Sequence, residues 1–135
     1  AGFNLNDCST QRNLSEDGRK QAQRIGEFFN KNKIEIDKVL SSEWCRCKET
    51  AKIAFKNFST NSFLNSFYSS KFSKNKDKQV KAFNYYIKNF ESKKNLIFVT
   101  HYVFISEVLN YGPSSGEIVV SDKKLNIIGS IEIDF

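Results

Sequence analysis

Several features are missing from this sequence, and each absence removes a class of protein. No uninterrupted apolar run approaches the roughly 20 residues that a membrane-spanning helix needs, so we expect no membrane partner. The sequence also contains no internal repeat and no sign of a second domain. We therefore predict one domain over residues 1–135.

Methionine is absent, and histidine occurs once, at His101. The chain begins at Ala1 with the stretch AGFNLNDCSTQR, whose Asn, Asp, Ser and Gly content is typical of a loop. A chain that starts inside a loop suggests a processed or N-terminally truncated form, and this is our expectation.

The composition is that of a folded domain with a basic surface. A hydrophobic content of 39% with 14% aromatic residues excludes a disordered chain. The formal net charge of +6 favours anionic partners. The lysines are scattered and form neither an ordered stripe nor a known binding motif, so we predict no nucleic-acid partner.

Helical patterns and short apolar strands alternate along the chain. Ser15 is an N-cap candidate, and four apolar or small residues follow it at helical spacing: Ala22, Ile25, Gly26 and Phe29. Further helices are predicted over residues 43–55, 76–92 and 103–110, strands over 37–41, 95–100, 116–121 and 125–134, and irregular structure over 56–75. This alternation predicts an α/β fold with a mostly parallel sheet and a final antiparallel hairpin.

His101 and Arg46 both follow predicted strands. His101 comes directly after the apolar run NLIFVT, which is typical of a strand buried on both faces. Arg46 lies one turn into the helix that follows Ser41 and Ser42, two residues that either contact a ligand or, as we favour, cap the helix at Glu43. Ligands bind at the carboxyl ends of strands in open α/β sheets, and a guanidinium is suited to phosphate. We therefore predict a phosphate site at this edge.

Three segments resemble motifs of the histidine phosphatase (phosphoglycerate mutase-like) superfamily. NLSEDGRKQA resembles its L-[ST]-x-x-G-x-x-Q-A segment, VLSSEWCRCKETA resembles its strand–helix motif with a helix arginine, and LIFVTH resembles its second-histidine strand. The segments DCSTQRNLS, LNSF and SGEIVV point to a small bacterial subgroup. The motifs occur in the family's order and together cover most of the chain.

The resemblance implies a fold, an activity and a set of residues. The fold is a three-layer α/β/α sandwich, and the activity is phosphoryl transfer through a phosphohistidine. Arg46 matches the helix arginine and His101 the second histidine, while Arg12 is a further candidate for phosphate binding. The substrate is expected to be a phosphorylated small molecule or a phosphoprotein. No cofactor and no metal are expected, since the arginine and histidine donors neutralise the phosphate.

The sequence departs from the family in one serious respect. The family's nucleophilic histidine lies in an R-H-[GA] motif at the end of the first, central strand, and this chain contains no such motif. We expect that strand upstream of Ala1. The alternative is a non-catalytic pseudo-phosphatase that binds phosphate or a phosphoprotein.

Relatives often use a carboxylate to protonate the leaving group. Residues 56–75, which follow the second helix, contain no Asp or Glu. The candidates are Asp77, just beyond that segment, and Glu117, in the SSGEIVV loop. Four aromatic residues of the same region form either an apolar wall for the substrate or part of the core: Phe63, Phe67, Tyr68 and Phe72.

The three cysteines are Cys8, Cys45 and Cys47. Cys45 and Cys47 are too close together for the usual zinc pair spacing. A disulfide from Cys8 to Cys45 or to Cys47 is compatible with a periplasmic or secreted protein, which relatives of this subgroup slightly favour; three buried thiols in a cytoplasmic protein are the other interpretation. The sequence leaves the oligomeric state open.

Overall fold

The computed structural model describes residues 2–133. Its helices are α1 (Glu16–Lys31), α2 (Cys45–Phe55), α3 (Ser70–Ser73), α4 (Lys76–Asn89) and α5 (Tyr102–Leu109), and short 3-10 turns span Cys8–Thr10 and Ser62–Leu64. Its strands are β1 (Ile36–Ser41), β2 (Ser59–Thr60), β3 (Asn95–Val99), β4 (Ile118–Ser121) and β5 (Ile127–Ile131). None of the helices within the described range combines the length and apolar character of a membrane-spanning segment.

The strands form two sheets. A parallel sheet has the order β2-β1-β3, and β4 pairs with β5 in an antiparallel hairpin. The predicted parallel sheet and final hairpin are therefore confirmed. The hairpin is shorter than predicted, and the predicted strand end at Asp134 lies outside the described residues.

Side chains from the two faces of the parallel sheet enter two hydrophobic clusters, which gives the three-layer arrangement. On one face, Leu96 and Phe98 of β3 pack into a cluster built mainly from α4, α5 and the turn at Ser62–Leu64. On the other face, Ile97 packs into a cluster built mainly from α1 and α2. This alternation follows from the two-residue period of a strand.

Helix α1 is explained by its local sequence. The Ser15 hydroxyl accepts a hydrogen bond from the Gly18 N–H at 3.1 Å, and Glu16 and Asp17 occupy the first turn, where the helix dipole favours anions. Its four buried residues are the predicted Ala22, Ile25, Gly26 and Phe29.

Gly26 lets α1 and α2 approach closely. A Cβ built on Gly26 would lie 2.6 Å from the carbonyl oxygen of Ala54, so any larger side chain forces the helices apart.

Two predictions need correction. The β3 run was predicted to be buried on both faces, but residues 96–99 are only partly buried, because β3 has a single strand neighbour, β1, among residues 2–133. Residues 56–75 are not wholly irregular. They contain β2, which pairs with β1, the turn at Ser62–Leu64 and the short helix α3.

Candidate functional site

The site is built where β1 and β3 end side by side. Ser41 and Val99, the last residues of these strands, are paired in the parallel register, and the Ser42 N–H donates to the Val99 carbonyl at 2.9 Å. The chain then enters α2 on one side and α5 on the other. Because parallel strands end at the same edge, residues far apart in sequence meet there.

His101 is the N-cap residue of α5 and is buried, with 6% of its surface exposed. Its ring meets Trp44 edge to face, with 5.2 Å between the ring centroids. One ring nitrogen, Nε2, lies 2.8 Å from the Ser42 hydroxyl and 3.7 Å from the Cys47 sulfur. The other, Nδ1, lies 3.1 Å from Nη2 of Arg46.

These surroundings keep the imidazole neutral. Burial, followed by the adjacent positive charge of Arg46, lowers the pKa of His101 from 6.5 to about 3. A neutral ring can accept a hydrogen bond from the guanidinium, whereas an imidazolium would face a second cation.

Ser42 contacts the ring but does not cap α2. The N-cap residue is Trp44, with no side-chain cap, and α2 begins at Cys45. The capping prediction at Glu43 is therefore wrong. The fully buried Ser42 hydroxyl accepts the Trp44 N–H at 3.1 Å instead, and the Ser41 hydroxyl donates to the Ser42 carbonyl. The backbone turns at the strand end and leaves both hydroxyls facing inward.

Asn65 is a functional candidate that the sequence reading did not single out. Its Oδ1 lies 3.2 Å from the Ser42 hydroxyl and 2.9 Å from the Glu43 backbone nitrogen, and its Nδ2 donates to the Glu43 carboxylate at 2.8 Å. The only sequence signal was its place in the LNSF segment. Its contacts join residues 22 positions apart, so no local pattern reveals them.

Asn65 is itself held in place. The buried Gln79 side chain donates to the Asn65 carbonyl at 2.8 Å and to the Phe63 carbonyl at 3.0 Å. The hydroxyl of Thr100, the residue before His101, donates to the Leu64 carbonyl. Hydrogen bonds from α4 and from the residue after β3 thus hold the backbone that carries Asn65 in place.

The structure joins Cys8 to Cys45 in a disulfide with a Cα–Cα distance of 5.7 Å, and Cys47 is a free buried thiol. Burial raises the pKa of Cys47 to about 11, so this thiol stays protonated at neutral pH. Gln11 reinforces the disulfide, because its side-chain oxygen accepts the Cys45 N–H at 2.8 Å. The N-terminal loop is thereby tied to the start of the helix that carries Arg46.

A cleft of about 1070 Å³ passes this edge of the sheet. Its lining residues include Arg12, Arg46, His101 and Glu117, so the structure brings together four of the five residues predicted for phosphate binding and proton donation. Asp77 is not among them. It lies exposed in the first turn of α4, where an anion suits the helix dipole.

Glu117 lines the cleft as an ionised group. The Tyr111 hydroxyl donates to its carboxylate at 2.5 Å and the Ser114 N–H at 2.8 Å, and these bonds lower the pKa of Glu117. A carboxylate that has lost its proton is poorly suited to be an acid.

The turn before Glu117 requires glycine. Gly116 has a φ of +79°, and a Cβ there would overlap the side chain of Gln21 on α1. The loop that carries Glu117 is therefore pressed against α1.

The aromatic residues near residues 56–75 belong mostly to the core. Phe63 and Phe67 are buried in the cluster with α4 and α5, and Phe72 meets Trp44 edge to face, while Tyr68 is 83% exposed. None of the four lines the cleft. The core interpretation is thus the better one. Among residues 2–133 there is no cluster of three or more His, Cys, Asp or Glu side chains able to hold a metal ion.

Comparisons with known proteins concern the family and the fold. Residues 7–65 match the model of the histidine phosphatase superfamily (branch 1). The fold is similar to that of a solved structure, the open reading frame Rv3214 from Mycobacterium tuberculosis, with a TM-score of 0.52 and 15% identity, covering 74% of this chain and 68% of that one. No curated protein gives a significant match. Residues 7–65 are therefore similar to the histidine phosphatase superfamily, and the solved structure supports the α/β fold.

Proposed function

We propose that the protein is a phosphatase that hydrolyses a phosphomonoester or a phosphohistidine through a phosphohistidine intermediate. The match of residues 7–65 to the superfamily model supports a phosphatase-type function. The observation that carries the finer proposal is the Arg46–His101 pair, which lines the cleft at the ends of β1 and β3.

Arg46 is the main phosphate ligand in this proposal. Its guanidinium is partly exposed and carries a permanent charge, and its described polar contact to another side chain is the bond to Nδ1 of His101. A phosphoryl oxygen is a stronger acceptor than a neutral imidazole nitrogen, so Arg46 turns from His101 to the phosphate. Arg12, exposed at the rim, adds charge as the ligand approaches.

The nucleophile comes from a histidine outside this chain. We propose that the 135 residues form most of a single histidine-phosphatase domain that is truncated at its N-terminus. Support comes from the open side of the sheet: β3 pairs only with β1 among residues 2–133, and β3 and β4 line the same cleft without pairing to each other. A strand placed beside β3 would deliver its last residues to Arg46 and His101.

The reaction then has two steps. The nucleophilic nitrogen attacks phosphorus, the P–N bond forms, and the P–O or P–N bond to the leaving group breaks, while Arg46 and His101 neutralise the charge on the phosphoryl oxygens. Water next attacks phosphorus and releases phosphate and the free histidine. Because Glu117 is ionised and Asp77 lies outside the cleft, we propose substrates whose leaving group departs without strong acid assistance, such as phosphohistidine.

The test compares Arg46→Ala with Arg24→Ala. Arg24 is an exposed arginine of α1 that pairs with Glu27 and does not line the cleft, so it controls for the loss of a positive charge. We expect Arg46→Ala to weaken vanadate binding to the chain at least about tenfold, the loss of one charge-assisted contact, and Arg24→Ala to leave it unchanged. Equal binding by both variants would refute the site.

Turnover separates catalysis from binding. In the natural full-length protein, His101→Ala and Arg46→Ala should each reduce hydrolysis of a phosphate ester by orders of magnitude. Arg46-dependent vanadate binding without any turnover in that protein would support the pseudo-phosphatase alternative instead.

A further inference from the structure

Five groups at the site form one connected hydrogen-bond chain. It runs from Arg46 to Nδ1 of His101, from Nε2 of His101 to Ser42, from Ser42 to Oδ1 of Asn65, and from Nδ2 of Asn65 to the Glu43 carboxylate. A hydroxyl and a neutral imidazole can each donate in either direction. The direction of the chain is therefore decided at its two ends.

Arg46 decides the direction at one end. A guanidinium has five N–H donors and no acceptor. The ring nitrogen 3.1 Å from it, Nδ1 of His101, must therefore be the unprotonated one. In a neutral ring the proton then lies on Nε2, which donates to the Ser42 hydroxyl at 2.8 Å.

Glu43 decides the direction at the other end. Its backbone N–H can only donate, and it points at the side-chain oxygen of Asn65 at 2.9 Å. Its carboxylate accepts from the side-chain nitrogen of Asn65 at 2.8 Å. Both contacts give the amide the same orientation, so an acceptor, Oδ1, faces Ser42.

The donor and acceptor assignments made from the two ends of the chain are compatible at Ser42. Its hydroxyl has one proton and two lone pairs. It accepts from Nε2 of His101 and from the Trp44 N–H, and it donates to Asn65 at 3.2 Å. With the other tautomer, Ser42 would donate to His101, the Asn65 oxygen would lose that donor, and an Nδ1–H would face the donors of Arg46.

We propose that Asn65 is a positioning residue that, through Ser42, holds His101 as the tautomer with its proton on Nε2. Nε2 is occupied by the buried Ser42 and lies beside Cys47, so Nδ1, on the Arg46 side, is the ring atom left for a ligand. The role of this tautomer in phosphate binding rests on the proposed function, whereas the assignment of the tautomer does not.

This assignment has a consequence for ligand binding. When the Arg46 guanidinium turns from Nδ1 to a phosphoryl group, Nδ1 presents a lone pair to the ligand. His101 donates to a phosphoryl oxygen only after Nδ1 takes up a proton from the ligand or from solvent. Binding of a fully ionised phosphoryl group is thus accompanied by uptake of one proton at His101.

The experiment is nitrogen NMR on a chain labelled with ¹⁵N-histidine. His101 is the only histidine of the 135 residues, so the imidazole signals belong to one ring. Without phosphate at neutral pH, we expect a pyrrole-type shift for Nε2 and a pyridine-type shift for Nδ1. A protonated Nδ1, or two pyrrole-type shifts, in the unsubstituted chain would overturn the proposal without any variant.

Arg46→Ala isolates the contribution of Asn65, because the arginine no longer constrains the ring. We expect Arg46→Ala to keep the proton on Nε2 and the Arg46→Ala, Asn65→Ala double variant to give shifts averaged between the two tautomers. The matched control is Asn89→Ala in the Arg46→Ala background, since Asn89 is an exposed residue of α4 that donates to the Tyr85 carbonyl. Identical spectra for the double variant and this control would overturn the role of Asn65.

The outcome can be separated from that of the proposed function. The spectra are recorded without phosphate and report the tautomer alone. The expected spectra with no vanadate binding would leave the tautomer assignment standing and refute phosphate binding. Arg46-dependent vanadate binding with a protonated Nδ1 would support phosphate binding and refute the tautomer assignment.

Discussion

Mild acid should destabilise this protein through His101. The folded state holds the ring neutral because the ring is buried and lies beside Arg46, which lowers its pKa to about 3, whereas an unfolded chain gives histidine a pKa near 6.5. Between these values the unfolded chain binds a proton that the folded chain does not. The stability is fully present above pH 6.5 and is lost as the pH falls towards 3.

The size of the effect follows from this difference. With a histidine pKa of 6.5 in the unfolded chain and an unprotonated ring in the folded chain, the free energy of unfolding should fall by roughly 2 kcal/mol between pH 7 and pH 5. The slope approaches about 1.4 kcal/mol per pH unit near pH 5, the value for one proton. Down to pH 3, where the folded ring also begins to bind a proton, the loss would reach about 4 kcal/mol.

Three carboxylates with shifted pKa values contribute mainly below the window from pH 7 to pH 5. Asp7, Glu117 and Asp122 have pKa values lowered by hydrogen bonds from ordinary values of 3.8 to 4.5. Their stabilising contribution is lost only at lower pH. Cys47, with a pKa raised to about 11, stays a neutral thiol throughout.

The assay is urea unfolding at several pH values in buffers without phosphate or reductant. The single tryptophan, Trp44, is 5% exposed in the folded chain and reports unfolding by fluorescence, with circular dichroism as a second probe. The matched variant is His101→Gln, whose amide can still donate to Ser42 but does not titrate. The wild type should lose about 2 kcal/mol more than this variant between pH 7 and pH 5. Parallel curves for the two proteins would refute the neutral, buried imidazole.

Two further predictions concern packing and covalent structure. Gly26→Ala, whose Cβ would lie 2.6 Å from the Ala54 carbonyl oxygen, should lower the free energy of unfolding by about 1–3 kcal/mol. Gly129→Ala is the control and should lower it much less, because a Cβ there would have no atom within 4 Å. Equal urea midpoints for the two variants would contradict the close helix contact. Reduction of Cys8–Cys45, which lie 37 residues apart, should cost roughly 4 kcal/mol through loop-closure entropy. The free energy of unfolding of the Cys8→Ser, Cys45→Ser double variant should not change when reductant is added. A wild type whose stability is also unchanged by reductant would argue against the disulfide.

The elements that local rules control could be predicted from the sequence. The Ser15 cap, the acidic first turn and the buried stripe of α1 are confirmed because they depend on residues within a few positions of each other. The parallel sheet and final hairpin are confirmed for a similar reason, since their apolar runs and turn residues are local signals.

Predictions that needed knowledge of neighbours were less successful. The β3 run looked like a strand buried on both faces, yet a strand's burial depends on how many strands flank it, and β3 has one in the described chain. Ser41 and Ser42 were expected to cap α2, but the helix begins later, at Cys45, and the Ser42 hydroxyl contacts His101 instead.

The sequence alone therefore determined at which edge of the sheet the candidate site residues stand. His101 and Arg46 follow strands, and strands that run parallel deliver their ends together. Tertiary structure decided their state. Burial and the Arg46 charge make His101 neutral, Asn65 meets Ser42 from 23 residues away, and Cys8 is joined to Cys45 while Cys47 stays a free thiol. Each of these depends on distances between segments remote in sequence, and the strength of electrostatic and hydrogen-bond interactions depends on those distances and on the exclusion of water.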